Sequence, residues 1–261
     1  MKHTLWIIVL FGFSYAEKPI PKTIRASHIY AAEMDNAGNV YFIDEKLNLC
    51  LSKLKTDTLK KFSVSNYGSS IIIDAANQLE VFLFFYTTGH VVVFDNQLNV
   101  QQDIALYTTN NLDPGAFGRS NEGNIWIFDN NTMTLKKISR QGIVVAESVI
   151  LEEFKSDPGI LTKIYDNGQQ IVLNDKTGKL FVFNQNLYQS TLQTITGQIV
   201  GQDGTANFIK NNKYVIKHSD RVLNQSAIDT LFTTGNNGKI VRVNSRFMLE
   251  SGDSSLILHE R

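Results

Sequence analysis

The chain has 261 residues, with 25 lysines and arginines against 25 aspartates and glutamates, so its formal net charge is zero. A neutral chain without a long basic run gives no electrostatic reason to expect a nucleic acid or an anionic membrane surface as a partner. Its single cysteine, Cys50, excludes an intrachain disulfide and a cysteine zinc site. Cys50 lies in an apolar stretch and is predicted to be a small buried side chain.

The beginning of the chain has the pattern of a secretory signal peptide. Lys2 precedes nine apolar or glycine residues, Leu5–Phe13, and the small residues of a cleavage site end at Ala16. No run in the chain approaches the roughly 18 apolar residues that a membrane-spanning helix needs. We therefore expect residues 1–16 to be a cleaved signal peptide. Residues 17–261 are expected to form a single domain that lies beyond the cytoplasmic membrane and has no direct membrane anchor.

Short runs rich in Val, Ile, Phe and Tyr, separated by Asn, Gly and Asp turns, fill the rest of the chain and predict strands. Five of these runs recur at intervals of 42 to 46 residues, beginning at Val40, Phe82, Ile125, Ile171 and Tyr214. A fixed period of about 40–50 residues with several strands per unit is typical of a β-propeller, in which each repeat is one four-stranded blade. We therefore predict an all-β fold, a β-propeller of five four-stranded blades. Six blades are the alternative if the long last unit contains two, and a β-sandwich with accidental spacing is the competing fold.

The fourth repeat illustrates the predicted blade. Its four strands are Ile160–Tyr165, Gln169–Asn174, Lys179–Phe183 and Tyr188–Ile195. In the second repeat, the continuous apolar run Val81–Tyr86 is assigned to a strand that is buried on both faces. The best helical candidate is Ser148–Ser156, which the following Asp-Pro-Gly ends.

The stretch SNEGNIWIFDNNT (Ser120–Thr132) combines acidic and amide groups with an aromatic residue, as many sugar pockets do, but we interpret it as scaffold. Asp129 ends its strand where Asp44 and Asp175 end the corresponding strands of other repeats. A residue that recurs at one place in three blades most economically serves the blade hairpin. Trp126 is then predicted to fill space between stacked sheets.

The segments DNAGNVYFIDE, NQLEVFLFFYTTGHVVVFDNQLN, EGNIWIFDNNTMTLKKIS and LNDKTGKLFVFNQNLYQSTL carry a family resemblance. Over Ser27–Ile195 the chain resembles a group of uncharacterised Bacteroidota periplasmic or envelope β-propeller proteins, and more distantly the NHL and YVTN-type propellers. The resemblance implies an architecture. It brings no catalytic signature to carry over to residues of this chain.

No catalytic, metal-binding or cofactor motif is found. HExxH, GxSxG, the P-loop, GxGxxG and the EF-hand loop are all absent. The histidines lack the spacing of a helical metal motif, and His90 follows a Thr-Thr-Gly turn as a turn residue would. We therefore predict no enzyme activity, no catalytic residues, no metal and no cofactor.

Propeller ligands usually bind at the mouth of the central channel. We expected the relevant loops to be those that join the outer strand of one blade to the inner strand of the next, because loops on a rigid scaffold carry function. The candidate binding-face residues on these loops are Tyr67, Asp113, Phe117, Arg119 and Asp203. Ordinary turn chemistry is the alternative explanation for each of them.

Two functions follow from this pattern. The favoured one is a non-enzymatic periplasmic propeller that acts as a protein-interaction subunit of a cell-envelope complex, of the outer-membrane protein secretion or insertion type. Its partners would be envelope or outer-membrane proteins. The alternative is a glycan-binding or glycoside-hydrolase propeller that uses the channel mouth. A hydrolase would need two converging carboxylates, for which Asp74 and Asp203 are the candidates.

Overall fold

The computed structural model describes residues 21–150, 161–175, 179–194, 198–203, 206–211, 214–219, 229–233, 241–252 and 254–260. The predicted signal peptide, residues 1–16, lies outside the described residues, so it stays a prediction. No helix among the described residues is long and apolar enough to cross a membrane.

The described strands form six four-stranded antiparallel sheets, each of which we call a blade. Strand β1 (Lys22–Arg25) comes first in the chain and belongs to blade 6. Blade 1 contains β2 (Ile29–Met34), β3 (Val40–Asp44), β4 (Asn48–Ser52) and β5 (Leu59–Ser63). Blade 2 contains β6 (Ile71–Asp74), β7 (Glu80–Phe85), β8 (His90–Asp95) and β9 (Val100–Ala105). Blade 3 contains β10 (Pro114–Arg119), β11 (Ile125–Asp129), β12 (Thr134–Ile138) and β13 (Val144–Glu147).

The other three blades follow the same order from an inner strand to an outer one. Blade 4 contains β14 (Leu161–Asp166), β15 (Gln170–Asp175), β16 (Lys179–Asn184) and β17 (Gln189–Thr194). Blade 5 contains β18 (Gln198–Asp203), β19 (Ala206–Asn211), β20 (Tyr214–Ser219) and β21 (Asp229–Thr233). Blade 6 contains β22 (Val241–Val243), β23 (Phe247–Ser251) and β24 (Ser255–Glu260), with β1 as its outer strand.

The structure confirms the prediction of an all-β propeller built from four-stranded blades, and six is the count that the sheets show. The long last unit does contain two blades, as the alternative required. Tyr214 begins the third strand of its blade, whereas Val40, Phe82, Ile125 and Ile171 lie in second strands. The repeat at Tyr214 was therefore placed one strand too late, because the second strand of blade 5, β19, has a less apolar sequence.

Strand β1 completes blade 6 by pairing with β24, from Lys22 opposite Leu258 to Arg25 opposite Ser255. The first and last described segments of the chain therefore share one sheet. This pairing joins the first described strand to the last one. Each blade of such an array is stabilised by its neighbours, so the pairing helps to hold the array together.

The core lies between the blades rather than in one central volume. Apolar clusters join each blade to the next, and one of them joins blade 6 to blade 1 through Phe247, Leu249 and Phe42. Strand β7 is buried on both faces, since every side chain from Val81 to Phe85 is fully buried, which confirms its assignment to the core. Cys50 is buried too, as predicted.

Short helices occupy only a few positions. Helix α1 (Leu106–Asn110) follows β9, and a 3₁₀ turn at Ser65–Tyr67 precedes β6. The predicted helix at Ser148–Ser156 is not helical at residues 148–150, and its remainder lies outside the described residues.

The recurring aspartates hold the hairpins between second and third strands, as the sequence predicted. Asp44 Oδ1 accepts the backbone N–H groups of Lys46 and Asn48 at 3.0 and 2.9 Å, and Asp95 makes the same pair of bonds one blade later. Burial by itself would raise the pKa of the Asp129 carboxyl, but the hydrogen bond from Lys136 Nζ and those from backbone and hydroxyl donors outweigh it and lower the pKa. The side chain of Asp175 lies outside what the structure describes.

A glycine in β10 allows two inner strands to approach each other. A Cβ atom at Gly118 would lie 2.0 Å from the carbonyl oxygen of Ile164 in β14, a backbone atom that cannot move aside. Gly118→Ala is expected to reduce the free energy of unfolding by about 1–3 kcal/mol through overpacking, measured by urea denaturation. Gly252→Ala is the matched control, because a Cβ there would meet mainly the Ser255 side chain at 3.1 Å. Equal stability of the two variants would contradict this close approach.

Candidate functional site

The six inner strands surround a cavity of about 560 Å³ at the ends where they turn into the second strands. Its volume falls within the roughly 300–1,000 Å³ typical of small-molecule sites. The lining residues are Glu33, Met34, Asn36, Asp74, Ala76, Asn77, Gln78, Leu79, Arg119, Asn121, Lys163, Ile164, Tyr165, Asp166, Asn167, Val200, Gly201, Val243 and Asn244. We call this space the channel cavity.

Side-chain amides form much of the cavity rim. Five of the six blades place an asparagine just beyond the inner strand, at the turn to the second strand. These residues are Asn36, Asn77, Asn121, Asn167 and Asn244. Asparagine is favoured in such turns because its side chain bonds the local backbone, and the Oδ1 atoms of Asn77 and Asn167 accept N–H groups of their own turns. The same repeated turn thereby brings amide groups together around one opening.

Four charged side chains from four different blades meet at the cavity floor. Lys163 Nζ lies 2.7 Å from Glu33 Oε2 and 3.8 Å from Asp74 Oδ2. Arg242 Nε donates to the same Glu33 oxygen at 3.1 Å. Glu33 belongs to blade 1, Asp74 to blade 2, Lys163 to blade 4 and Arg242 to blade 6, so this floor network links inner strands around the cavity.

The floor network keeps its cations charged. Burial alone would lower the pKa of Lys163, but the negative charges of Asp74 and Glu33 outweigh burial and raise it. Burial would also lower the pKa of Arg242, but the negative charge of Glu33 outweighs burial and raises this pKa as well. Tyr165 lies beside the network, with its hydroxyl donating to the Ile199 carbonyl at 3.2 Å, and burial is the main cause that raises its pKa.

The acidic groups at the cavity are all engaged by donors. Glu33 and Asp74 converge on one ammonium group, as described above, so neither stands as the free acid or base that glycoside hydrolysis requires. Asp166 accepts hydrogen bonds from Trp126 Nε1 at 2.8 Å and from the backbone of Asn121 at 3.0 Å. The arrangement is therefore suited to binding and to holding the blades in register more than to proton transfer.

Arg119 is the cationic side chain of the cavity with the weakest pairing. Its guanidinium approaches Glu80 only to 3.9 Å, and Glu80 is already bound by Arg140 at 2.7 Å. Arg119 Nε is buried, and no residue that the structure describes accepts a hydrogen bond from it.

The candidate residues chosen from the sequence are not gathered in one place. Arg119 lines the channel cavity, and so does Asp74 of the glycan alternative. Asp113 instead ties its loop to the blade 3 hairpin, because its backbone N–H donates to Asp129 Oδ1 at 3.0 Å. Phe117 is fully buried and stacks on Phe84 with ring centroids 5.2 Å apart, so it belongs to the core. Asp203 ends β18, and its side chain lies outside what the structure describes.

Tyr67 takes part in a separate polar cluster on blade 2. Its hydroxyl donates to Asp103 Oδ2 at 2.8 Å, and the other oxygen of Asp103 lies 2.6 Å from His90 Nδ1. The ring of Tyr67 stacks on Phe85. Burial and the hydrogen bond to Asp103 raise the pKa of Tyr67 to about 12. No group of three potential metal ligands is present among the described residues, here or at the cavity.

Sequence reasoning missed Glu33, Lys163 and Arg242. The available signal was a charged residue inside an otherwise apolar inner strand, as in IYAAEM and LTKIYD. The loops from outer to inner strands were the predicted location, but none of the residues in the stretches 64–70 and 106–113 lines the channel cavity.

The outer edge of blade 3 is a second distinctive surface. Four apolar side chains here are each more than half exposed: Ile143, Val145, Val149 and Ile150. Val145 lies in β13, Ile143 directly precedes this strand, and the other two follow it. The outer strands of blades 1 and 2 each expose one apolar residue, Leu59 and Val100, beside the charges of Lys60, Lys61 and Asp103, and β13 exposes Glu147 beside Val145. We call the four exposed apolar residues the blade 3 rim.

The sequence matches no protein-family model and no curated protein. Several solved structures are similar in fold. Virginiamycin B lyase from Staphylococcus aureus is 8% identical with a TM-score of 0.59, covering 92% of this chain and 98% of its own. The Cps50 (Swd1) β-propeller domain of Myceliophteria thermophila is 11% identical with a TM-score of 0.60, covering 93% and 100%. A protein of unknown function from Bacteroides caccae is 10% identical with a TM-score of 0.53, covering 79% and 81%. At these identities the similarity shows the propeller fold alone.

Proposed function

We propose that the protein is a non-enzymatic binding propeller that docks another protein of the cell envelope. The blade 3 rim is the observation that carries this proposal. A sheet edge presents unpaired backbone N–H and C=O groups, and soluble proteins usually protect it with charged residues. Blade 3 presents Ile143 and Val145 there instead, 59% and 54% exposed.

Strand addition is the binding mode that fits this edge. A partner segment that pairs with the outer strand would gain main-chain hydrogen bonds and cover the apolar side chains at once. The pairing of β12 with β13 is irregular between Lys137 and Ile138. Such bulges commonly end or redirect pairing at sheet edges, so the partner segment is expected to be short.

The compartment and the class of partner are inferred from the sequence. The charged and apolar beginning of the chain supports export, and the motif resemblance supports a periplasmic protein of Bacteroidota type. An exported propeller of this kind would act through outer-membrane or envelope proteins, in secretion or insertion of outer-membrane proteins. A hydrolase is not favoured, because Glu33 and Asp74 at the cavity are held by Lys163 and Arg242.

The rim can be tested directly with the double variant Ile143→Lys/Val145→Lys. Both side chains are exposed, so the fold should persist while the apolar surface is lost. We expect a tagged wild-type protein, purified from detergent-solubilised envelopes, to bring down one or a few envelope proteins in stable proportion. Their yield should fall at least about tenfold with the double variant, since charges at an interface core are strongly disfavoured. A photo-crosslinking residue at Val145 should become linked to the same partner.

Val100→Lys is the matched control, because Val100 is 43% exposed on the outer strand of blade 2, which already carries polar residues. It should leave partner recovery unchanged. A wild-type protein that stays strictly monomeric and free of partners would overturn the proposal, and so would a partner that the double variant retains in full.

A further inference from the structure

The channel cavity is lined by Arg119, whose buried Nε–H group has no acceptor among the described residues and whose guanidinium carbon lies 5.8 Å from the centre of the Phe82 ring. The nearest carboxylate oxygen that contacts the guanidinium is that of Glu80, 3.9 Å away. Glu80 does not depend on Arg119, because Arg140 binds it at 2.7 Å and also lies over the Phe82 ring. Two arginines thus share one carboxylate, which leaves a local excess of positive charge at this edge of the cavity.

The other charged groups of the lining are engaged elsewhere, although the carboxylate of Asp166 keeps its negative charge. Lys163 and Arg242 neutralise Glu33 and Asp74 within the floor network. The carboxylate of Asp166 receives N–H donors from Trp126, Asn121 and Gly168 on its two oxygens. A planar guanidinium binds a carboxylate in a bidentate manner. Arg119 Nε is itself buried, so a ligand in the cavity would bind through the two terminal nitrogens of this side chain.

The rest of the lining is suited to hydroxyl groups. The rim amides of Asn121 and Gln78 offer both donors and acceptors. Asn36 and Asn167 offer their NH₂ donors, since their oxygens already accept hydrogen bonds. Leu79 supplies an exposed apolar side chain beside them, 67% exposed. Side-chain amides together with a small apolar surface match a compact ligand that has hydroxyls on one side and C–H groups on the other.

We propose that the channel cavity binds a small sugar acid, a polyhydroxylated ligand whose carboxylate pairs with Arg119. The rim amides bind its hydroxyl groups, and the floor network stays intact beneath it. No bond is made or broken. This site is separate from the blade 3 rim, so it stands whether or not the rim binds a protein.

The test titrates sodium D-glucuronate and sodium D-galacturonate into the purified protein and follows binding by calorimetry and ligand-observed NMR. D-glucose is the neutral comparison, and sodium sulfate is the anion without hydroxyl groups. We expect the two sugar acids to bind at least about tenfold more tightly than either glucose or sulfate. Arg119→Gln should weaken glucuronate at least about tenfold and leave the binding of glucose nearly unchanged. Arg119→Lys keeps the positive charge but lacks the planar guanidinium, so its affinity for glucuronate should lie between those of the wild type and Arg119→Gln.

Arg246→Gln is the matched control, since Arg246 is an exposed arginine of blade 6 that pairs with Glu260 at 2.6 Å. It should bind glucuronate like the wild type. Thermal unfolding of each variant checks the fold, which Arg119→Gln should preserve because Arg140 retains Glu80. Three results would each overturn the proposal: no binding of either sugar acid to the wild type, equal affinity in folded Arg119→Gln, or sulfate binding as tightly as glucuronate.

Discussion

Replacing Trp126 with alanine is expected to lower the free energy of unfolding by about 3–5 kcal/mol, the range typical of large-to-small changes in a packed core. Trp126 is 1% exposed and packs between blades 3 and 4 with Phe128, Ile164 and Phe181. Its Nε1–H donates to Asp166 Oδ2 at 2.8 Å, and Lys137 Nζ lies 5.3 Å from its ring centre. The variant therefore loses packing between two blades and leaves a carboxylate with one donor fewer.

Urea denaturation followed by circular dichroism measures this loss, and two variants separate its causes. Trp126→Phe keeps most of the ring volume but removes the donor to Asp166, so it should cost about 1–3 kcal/mol. Val145→Ala, at an exposed position of the blade 3 rim, should change stability by no more than about 0.5 kcal/mol. A Trp126→Ala protein as stable as Val145→Ala would contradict the placement of this side chain between blades.

The first four blades could be read from the sequence because their apolar runs and turns repeat. The predicted strand Gln169–Asn174 differs from the observed β15 (Gln170–Asp175) by one residue at each end, and Asp44 and Asp129 bind the hairpins as their recurrence indicated. Alternating strands and tight turns are local features of the sequence, so they can be predicted without knowing which blades are in contact.

The end of the fold could not be read in this way. The outer strand of blade 6, Lys22–Arg25, lies more than 200 residues away in the chain from the other strands of that blade. The local sequence KTIR does not predict this pairing. Blade 5 departs from the period because ANFIKN, its second strand, lacks the run of large apolar residues seen in VYFID or IWIFD. Long-range pairing and a weakened repeat both escape a search for periodicity.

The candidate site was predicted only in part for a related reason. Function was expected on the loops between blades, which led to Tyr67 and Asp113, but the cavity lies where inner strands end and turn within each blade. Lys163 and Arg242 could not be recognised as a pair of cations around Glu33, because they lie 130 and 209 residues from it in sequence. Their proximity is a product of the ring of blades.

The floor network has a mechanical consequence for any function of the cavity. Inner strands of four blades are joined there through Glu33, Asp74, Lys163 and Arg242, so a ligand above it meets a surface whose shape is fixed by ion pairs. Buried ion pairs add little net stability compared with apolar groups, yet removing one partner is costly because the other charge stays behind. Lys163 is the member that contacts two carboxylates.

Lys163→Met is therefore expected to lower the free energy of unfolding by about 3–5 kcal/mol at pH 7. The long apolar side chain of methionine keeps the volume but leaves Asp74 without a cation, while Glu33 retains Arg242 at 3.1 Å. In the wild type the pKa of Lys163 is raised above the ordinary lysine value of 10.5. Its contribution to the free energy of unfolding is therefore complete below pH 10.5 and is lost only as the pH rises through the pKa of the folded state. In the variant the Asp74 carboxylate loses the ammonium group that lies 3.8 Å from it in the wild type, and this lost ion pair is the main cause of the expected destabilisation.

Urea denaturation at pH 7 measures the stability deficit of Lys163→Met. Adding Asp74→Asn removes the carboxylate that has lost its ion pair, so the double variant should be more stable at pH 7 than Lys163→Met alone. Lys61→Met is the surface control: Lys61 pairs with Asp44 at 3.0 Å but its side chain is 50% exposed, so its loss should cost no more than about 1 kcal/mol. A deficit that Asp74→Asn leaves unchanged would show that Lys163 acts by packing and not by charge.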